Sequence, residues 1–360
     1  MALPFFNRAA KKPDQIVAVD LGGRQTKAVL IQRHGERYLL LNFAVRAAPA
    51  ETDSKELPVE TLGEHLKNIN VDLGERTKLA CIALCENDSL LRHAEMPLVP
   101  VSDLRLMLKH GSKTYLQQDL SDYVFDCQFI LPKPADAKKS EAAKAAPATQ
   151  KNKVLVGGAR KKVIDDMQAA CRAAGLVPAQ IIPGLIAPAN AFEMAEPEIF
   201  AKEVVALVDI GFRRTSISIL DVGELALNRV VNIGGDHLTS GLAEALGISY
   251  EEAEGIKVGM PSEVQHNLEP LIAPLGRELR TSIEFFEHQQ DKALTQVFIS
   301  GGSSRGEFIV ATLQNELMAP CQTWNPTKFL QPSVPPQKMP ELEAVAPLLT
   351  FAVGAAMAAL

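Results

Sequence analysis

Two short apolar runs share one pattern. Residues 16–30 read IVAVDLGGRQTKAVL and residues 204–220 read VVALVDIGFRRTSISIL. Each predicts a buried β-strand ending in Asp-hydrophobic-Gly, a tight turn and a second strand. The same hairpin therefore occurs twice, roughly half a chain apart, and predicts two related units facing each other across a cleft. A third run, VFISGGSSRGEFIVATLQNEL at 297–317, predicts a strand, a Gly-Gly turn and a helix. Phe308, Ile309, Leu313 and Leu317 fall on its helical period.

The remaining pattern fills in around these runs. Residues 13–50 hold the first hairpin and a third strand, YLLLNFAVR. A helix is expected over 57–73, a strand over 79–85, and strand and turn over 87–98. A short helix is expected over 101–110, starting at Ser102 with Asp103 in its first turn, followed by a helix-like run to Leu120. The extended run 122–131 pairs with 153–159 as the sheet of a small subdomain, with Tyr123, Phe125 and Phe129 as core or as the border of a groove. Residues 160–174 form a helix stopped at Gly175, and 188–200 another. Gly234 and Gly235 make a turn, and Asp236 caps the helix that runs to Leu246. Ser249 caps the next helix, with Glu252 completing a capping box. Residues 270–290 are one long helix, and 326–340 are Pro-rich and irregular.

Composition narrows the class. A chain of 360 residues with 47% hydrophobic and 22% charged residues has room for two domains and a sizeable core. A net charge of -6 argues against a nucleic-acid binder. The five cysteines are odd in number and irregular in spacing, so they read as free thiols in a reducing compartment. The N-terminus carries no signal-peptide pattern, although Leu3, Pro4, Phe5 and Phe6 stand out as apolar. The C-terminal LLTFAVGAAMAAL is too short to span a bilayer and reads as a helix packed inside a domain. Residues 132–162 hold nine Lys/Arg against two acidic residues. Two readings stand for this basic stretch: a solubilising loop, or contact with an acidic partner or anionic lipid.

Candidate chemistry sits at the hairpin turns. Asp20 and Asp209 each end an apolar strand, where a carboxylate is costly without a partner. Hydrated Mg²⁺ is a suitable one. Gly22, Gly23 and Gly211 let backbone N–H groups turn toward phosphate oxygens. Thr26 and Lys27 follow the first turn and Thr215 follows the second. An ordinary β-hairpin explains either copy alone, since Asp-x-Gly is common at turns. The turn at Gly301 and Gly302 precedes a helix N-terminus, which favours anions. GGSSRG has neither dinucleotide nor P-loop spacing.

These motifs, in this order, resemble the actin-like ATPase superfamily. Within it the chain is similar to the type IV pilus assembly PilM family, relatives of the division protein FtsA. DLGGRQTK looks like the first phosphate motif, DIGFRRTS the second and ISGGSSR the adenosine motif. The stretch NIGGDHLTSGLAEALGISYEEAEGIK is the most PilM-like, and RKKVIDDMQAACRAAGLVPAQII also resembles that family. The resemblance implies ATP and Mg²⁺ as cofactors. Asp20 and Asp209 would be the metal positions. Gly22, Gly23, Thr26, Lys27, Gly211, Thr215, Gly235, Gly301, Gly302 and Arg305 would be nucleotide positions, with Glu254 and Lys257 on the sugar and base side. Arg24, Arg213 and Arg214 depart from the family, which carries small or hydroxyl residues there. Two roles are open for them: pairing with phosphates, or plugging the cleft by pairing with Asp20 or Asp209.

The implied fold is mixed α/β, the bilobed actin-like, ribonuclease H-like ATPase fold with a small inserted subdomain. The first lobe is expected over 1–200, with the insertion at about 87–160. The second is expected over 201–345, with a helical subdomain at about 236–295, and 346–360 packs back on the first lobe. The implied function is a cytoplasmic, nucleotide-binding scaffold at the inner membrane. It would dock the cytoplasmic N-terminal tail of a PilN-like membrane protein, with a pilus assembly ATPase and self-association as further partners, and with weak or absent ATP hydrolysis. Asp236 and His237 are the nearest candidates for orienting a water. The alternatives are an FtsA-like membrane tether or a small-molecule kinase of the same superfamily. A kinase needs an acceptor base, and 181–192 contains no acid.

Overall fold

A computed structural model describes residues 12–49, 57–130 and 151–360. The basic stretch at 133–150 and the apolar Leu3–Phe6 segment lie outside these residues.

Two sheets repeat one topology. In the first, β1 (Gln15–Leu21), β2 (Gln25–His34) and β3 (Arg37–Ala47) run antiparallel, and β4 (Leu79–Leu84) and β8 (Val177–Pro183) continue the sheet parallel to β1. In the second, β9 (Val204–Ile210), β10 (Thr215–Asp221) and β11 (Glu224–Val231) are the antiparallel part. There β12 (Gln296–Ser300) and β13 (Cys321–Thr323) run parallel to β9. A two-residue strand, β14 (Gln331–Pro332), crosses back to pair with β3. The chain thus rejoins the first sheet ahead of residue 346. A smaller antiparallel sheet, β5–β7–β6, is built from β5 (Ser89–Pro97), β6 (Tyr123–Phe129) and β7 (Lys151–Arg160).

Strand alternation decides what each sheet face covers. Ile16 and Ala18 of β1 and Val205 and Leu207 of β9 enter one shared core. Between the sheets lie the helices Ala187–Ala195 and Thr350–Ala359, whose Phe192, Ala352 and Val353 belong to that core. Phe192 is fully buried, with its ring 4.7 Å from that of Phe298 and 5.2 Å from that of Trp324. A Cβ on Gly354 would overlap the Ala187 carbonyl, so glycine is required for these two helices to approach. The outer faces are covered separately. Val17 and Val19 meet the helices Val59–Leu73 and Lys161–Ala173. Ala206 and Val208 meet the helices Gln265–Gln290 and Glu307–Leu317.

The run Pro336–Ala359 is 24 residues long and apolar enough to cross a membrane by length and composition. That is longer than the sequence pattern indicated, because shorter helical segments stack end to end. Its most apolar window is 67% buried, against the shared core.

Several local expectations hold in detail. Ser249 and Glu252 form a reciprocal capping box at the helix Tyr250–Gly259. The helix Lys161–Ala173 ends before Gly175, whose φ of +73° suits glycine. All five cysteines are free thiols, with Cys81, Cys127 and Cys171 buried. Others change. The expected short helix and the helix-like run after it form Val101–Leu116, kinked at Gly111, but the N-cap position is held by Pro100 rather than Ser102. Asp236 does not cap its helix: Gly234 holds the N-cap position, and the Asp236 carboxylate accepts from the Tyr250 hydroxyl at 2.9 Å. The long helix begins at Gln265, with Pro270 and Pro274 inside it.

Candidate functional site

The repeated topology brings the two hairpin carboxylates into register. Asp20 and Asp209 are each the penultimate residue of the strand that lies between an antiparallel and a parallel neighbour. Asp20 is opposite Lys27 on β2 and Ala83 on β4; Asp209 is opposite Ser216 on β10 and Ser300 on β12. By alternation both side chains leave on the shared-core side of their sheets, at the end where the apolar core stops.

Their charges act on one another. Lys27 Nζ donates to Asp20 Oδ2 at 3.1 Å, and Ser300 Oγ donates to Asp209 Oδ2 at 2.8 Å. Burial pushes the Asp209 carboxyl up to about 6, against the pull of the Ser300 hydrogen bond and the Lys27 charge. Burial would depress Lys27, but Asp20, Asp209 and Glu86 together outweigh it and hold the ammonium above its usual value. Glu86, in the β4–β5 connection, therefore belongs to the same cluster. Nothing in the local sequence marks it, because it arrives on a loop with no motif.

The threonines point elsewhere. Thr26 is buried and its hydroxyl is 2.8 Å from His65 Nε2 on the outer helix Val59–Leu73. Thr215 is fully buried and donates to the Ile233 carbonyl at 2.7 Å. Adjacent strand residues face opposite ways, so Thr26 and Lys27 do not both reach the cleft, and Thr215 lies on the face opposite Asp209. The alternation rule was the available signal.

The glycines differ in how tightly they are required. A Cβ on Gly22 would lie 2.5 Å from Lys27 Nζ, and one on Gly211 would lie 2.8 Å from the Arg214 carbonyl oxygen. Gly235 N donates to the Gly211 carbonyl at 2.9 Å, and its Cβ would lie 2.8 Å from Ser303 Oγ. The second hairpin turn, the start of the helix Gly235–Leu246 and the Gly301–Arg305 turn thus converge. Gly301 has φ +92° and backs onto Ile210, while Gly23 and Gly302 face open space. Arg305 donates to the Ala344 carbonyl at 3.3 Å.

On the far side, Lys257 Nζ is buried. It donates to Thr239 Oγ1 at 2.6 Å, to Glu254 Oε2 at 2.7 Å and to the Gly235 carbonyl at 3.3 Å. Burial raises the Glu254 carboxyl, but the bonds from Lys257 and Thr239 and the charge of Arg24 outweigh it and hold it below its usual range. Thr239 carries no motif that would mark it in the sequence. Arg24 and Arg214 direct their ion pairs to glutamates other than Asp20 and Asp209. Arg24 pairs with Glu254 at 2.9 Å, Arg214 with Glu86 at 3.2 Å, and Arg213 lies 6.0 Å over the Phe212 ring.

The donor set fits a metal–phosphate ligand better than a bare metal ion. Among the described residues no group of three or more His, Cys, Asp or Glu is placed to cage a metal ion. Two carboxylates with an adjacent lysine suit a cation whose remaining ligands are waters and phosphate oxygens, as Mg²⁺ prefers. The raised Asp209 carboxyl is a group that a nearby cation would stabilise as the anion.

A family model described as type IV pilus assembly protein PilM matches residues 18–360. Among solved structures, a PilM-PilN type IV pilus biogenesis complex superposes with a TM-score of 0.80 at 21% identity, covering 96% of this chain and 98% of that one. Ethanolamine utilization protein EutJ from Carboxydothermus hydrogenoformans gives 0.57 at 16% identity, over 99% and 92% of the two chains. MreB 5 of Spiroplasma citri bound to AMPPNP gives 0.51 at 10% identity, over 96% and 95%. The shared feature at these identities is the actin-like ATPase fold.

Proposed function

The chain belongs to the type IV pilus assembly protein PilM family, and from that premise we propose that it is a Mg-ATP-binding scaffold for a PilN-like membrane protein. One observation carries the nucleotide part. Two hairpins of the same topology present Asp20 and Asp209 to one cluster with Lys27. Asp20 and Asp209 would hold Mg²⁺ through waters, Lys27 and the amides near Gly22, Gly23 and Gly211 would meet phosphates, and Glu254 and Lys257 would meet the nucleoside. Bound Mg²⁺ would supply charge neutralisation for the phosphates.

The partner part rests on family membership and on the likeness to a complex that contains PilN. The duplicated sheets support two lobes divided near residue 200, with the β5–β7–β6 unit as the small insertion. The aromatic residues Tyr123, Phe125 and Phe129 are half-buried against that unit's core around Leu104, Leu108 and Val156, and so form part of its surface. The scaffold would work at the cytoplasmic face of the inner membrane, held there by its partner.

Calorimetric titration with ATP, with and without Mg²⁺, tests the first part. Saturable Mg²⁺-dependent binding is expected, and no heat at millimolar nucleotide would refute it. Pull-down with the cytoplasmic tail of the neighbouring PilN-like protein tests the second part, and failure of capture in both nucleotide states would refute it.

A further inference from the structure

Two arginines bridge the cleft in opposite directions. Arg24 leaves the β1–β2 turn and meets Glu254 on the helix Tyr250–Gly259 at 2.9 Å. On the way it lies 5.4 Å over the ring of Phe212 in the β9–β10 turn. Arg214 leaves the β9–β10 turn and meets Glu86, beyond β4 of the first sheet, at 3.2 Å. Its Nε also donates to Asn232 at 3.0 Å. Each hairpin turn therefore sends a cation onto the opposite half of the molecule.

We propose that these crossed pairs are struts that hold the mouth of the cleft closed without a ligand, so that closure is set by the protein's own charges. The two halves meet behind the carboxylates through apolar side chains of β1, β9 and the helices between them. Apolar contact is non-directional, so it serves as a pivot and leaves the angle between the sheets weakly specified. Directional contacts at the strand ends specify that angle. Both acceptors suit the role. Glu254 is fixed in place by Lys257 and Thr239 before Arg24 reaches it. Glu86 and Arg214 are each less than one-third exposed, so their pairing is only partly screened.

A single exposed ion pair shifts an equilibrium by about fivefold at most. Two independent pairs multiply to roughly 25-fold, enough to turn a balanced opening into a mostly closed cleft. The consequence for ATP rests on the nucleotide-binding reading, but the struts themselves do not: a bound nucleotide would enter or leave a cleft already held shut.

The test uses the full chain without nucleotide. Small-angle scattering reports the separation of the halves, and hydrogen exchange reports the turns at residues 22–25 and 211–215. In the Arg24→Gln/Arg214→Gln variant we expect a larger radius of gyration and about tenfold faster exchange at both turns, with exchange in β1 and β9 unchanged as proof of folding. Raising salt should open the wild-type protein in the same way. The charge-swapped pair Glu86→Arg/Arg214→Glu should restore protection that Arg214→Glu alone removes. A double variant as compact and protected as wild type would overturn the proposal, as would a swap that restores nothing. A parallel Mg-ATP titration separates the two ideas. Opening without any nucleotide binding keeps the struts and removes the nucleotide reading, whereas binding without opening removes the struts alone.

Discussion

Gly301 and Gly302 are neighbours of one residue type, yet alanine should have opposite consequences at the two. Gly301 has φ +92° and ψ 177°, a region that only glycine occupies readily. A methyl group at its Cα would lie 2.5 Å from the Ile210 carbonyl oxygen and 2.7 Å from the Ile210 nitrogen, both main-chain atoms that cannot rotate away. Backbone strain of this kind costs about 1–3 kcal/mol. Forcing a methyl into packed main chain costs about 1–3 kcal/mol more. Gly301→Ala should therefore destabilise by about 2–6 kcal/mol and lower the melting temperature of a chain this long by about 3–8 °C. It should also disturb the site, because Ile210 follows Asp209 and Gly301 N donates to the Pro347 carbonyl at 3.0 Å. Gly302 has nothing within 4 Å of its would-be Cβ and no positive φ. Gly302→Ala should melt within about 2 °C of the parent, in line with the small effect of most surface substitutions. Differential scanning calorimetry of both variants decides the matter. Equal melting temperatures, or a larger loss at Gly302, would refute the geometric reasoning.

Three further outcomes are expected. Asp209→Asn, and separately Asp20→Asn, should weaken Mg-ATP binding by about tenfold or more, ~1.4 kcal/mol, and chelation of Mg²⁺ should remove the difference between variant and parent; calorimetry reads both. Phe192→Ala should cost about 3–5 kcal/mol, because its ring is fully buried between Phe298 and Trp324, and a denaturant midpoint indistinguishable from wild type would contradict that packing. His93 Nε2–H donates to the Leu225 carbonyl at 2.8 Å. Burial, assisted by Lys153, holds this imidazole below its ordinary value of 6.5 against the opposing effect of that bond. The unfolded chain takes up the proton first, so this stability is complete above about pH 6.5 and declines as pH falls toward the depressed folded value. His93→Gln should flatten that part of the profile, and a melting curve that loses as much between pH 7 and pH 5.5 with Gln as with His would exclude His93 as a source.

Much of the molecule was written locally. The two Asp-x-Gly hairpins were legible because a strand alternates over a handful of residues and its turn chemistry sits beside it. The Ser249–Glu252 capping box and the stop at Gly175 were legible for the same reason, since each is a contact within one turn of chain. Their order along the sequence was enough to indicate the family. What the sequence left open depended on partners distant along the chain. Arg24 finds Glu254 across 230 residues, and Arg214 finds Glu86 across 128. No local period encodes such pairings; they exist only because the two sheets pack on one core.

Asp236 shows the same limit in reverse: a good capping residue at a helix start, drawn instead to the Tyr250 hydroxyl on the next helix. For Thr26 and Lys27 the sequence did carry the answer, since adjacent strand residues face opposite ways, but which face met the cleft waited on the tertiary packing. Sequence alone determined the elements, their turns and the duplicated carboxylates, because those follow from chemistry within a few residues. Tertiary structure alone decided which charges meet across the cleft, because burial and charge pairing depend on distances that only the packed sheets establish.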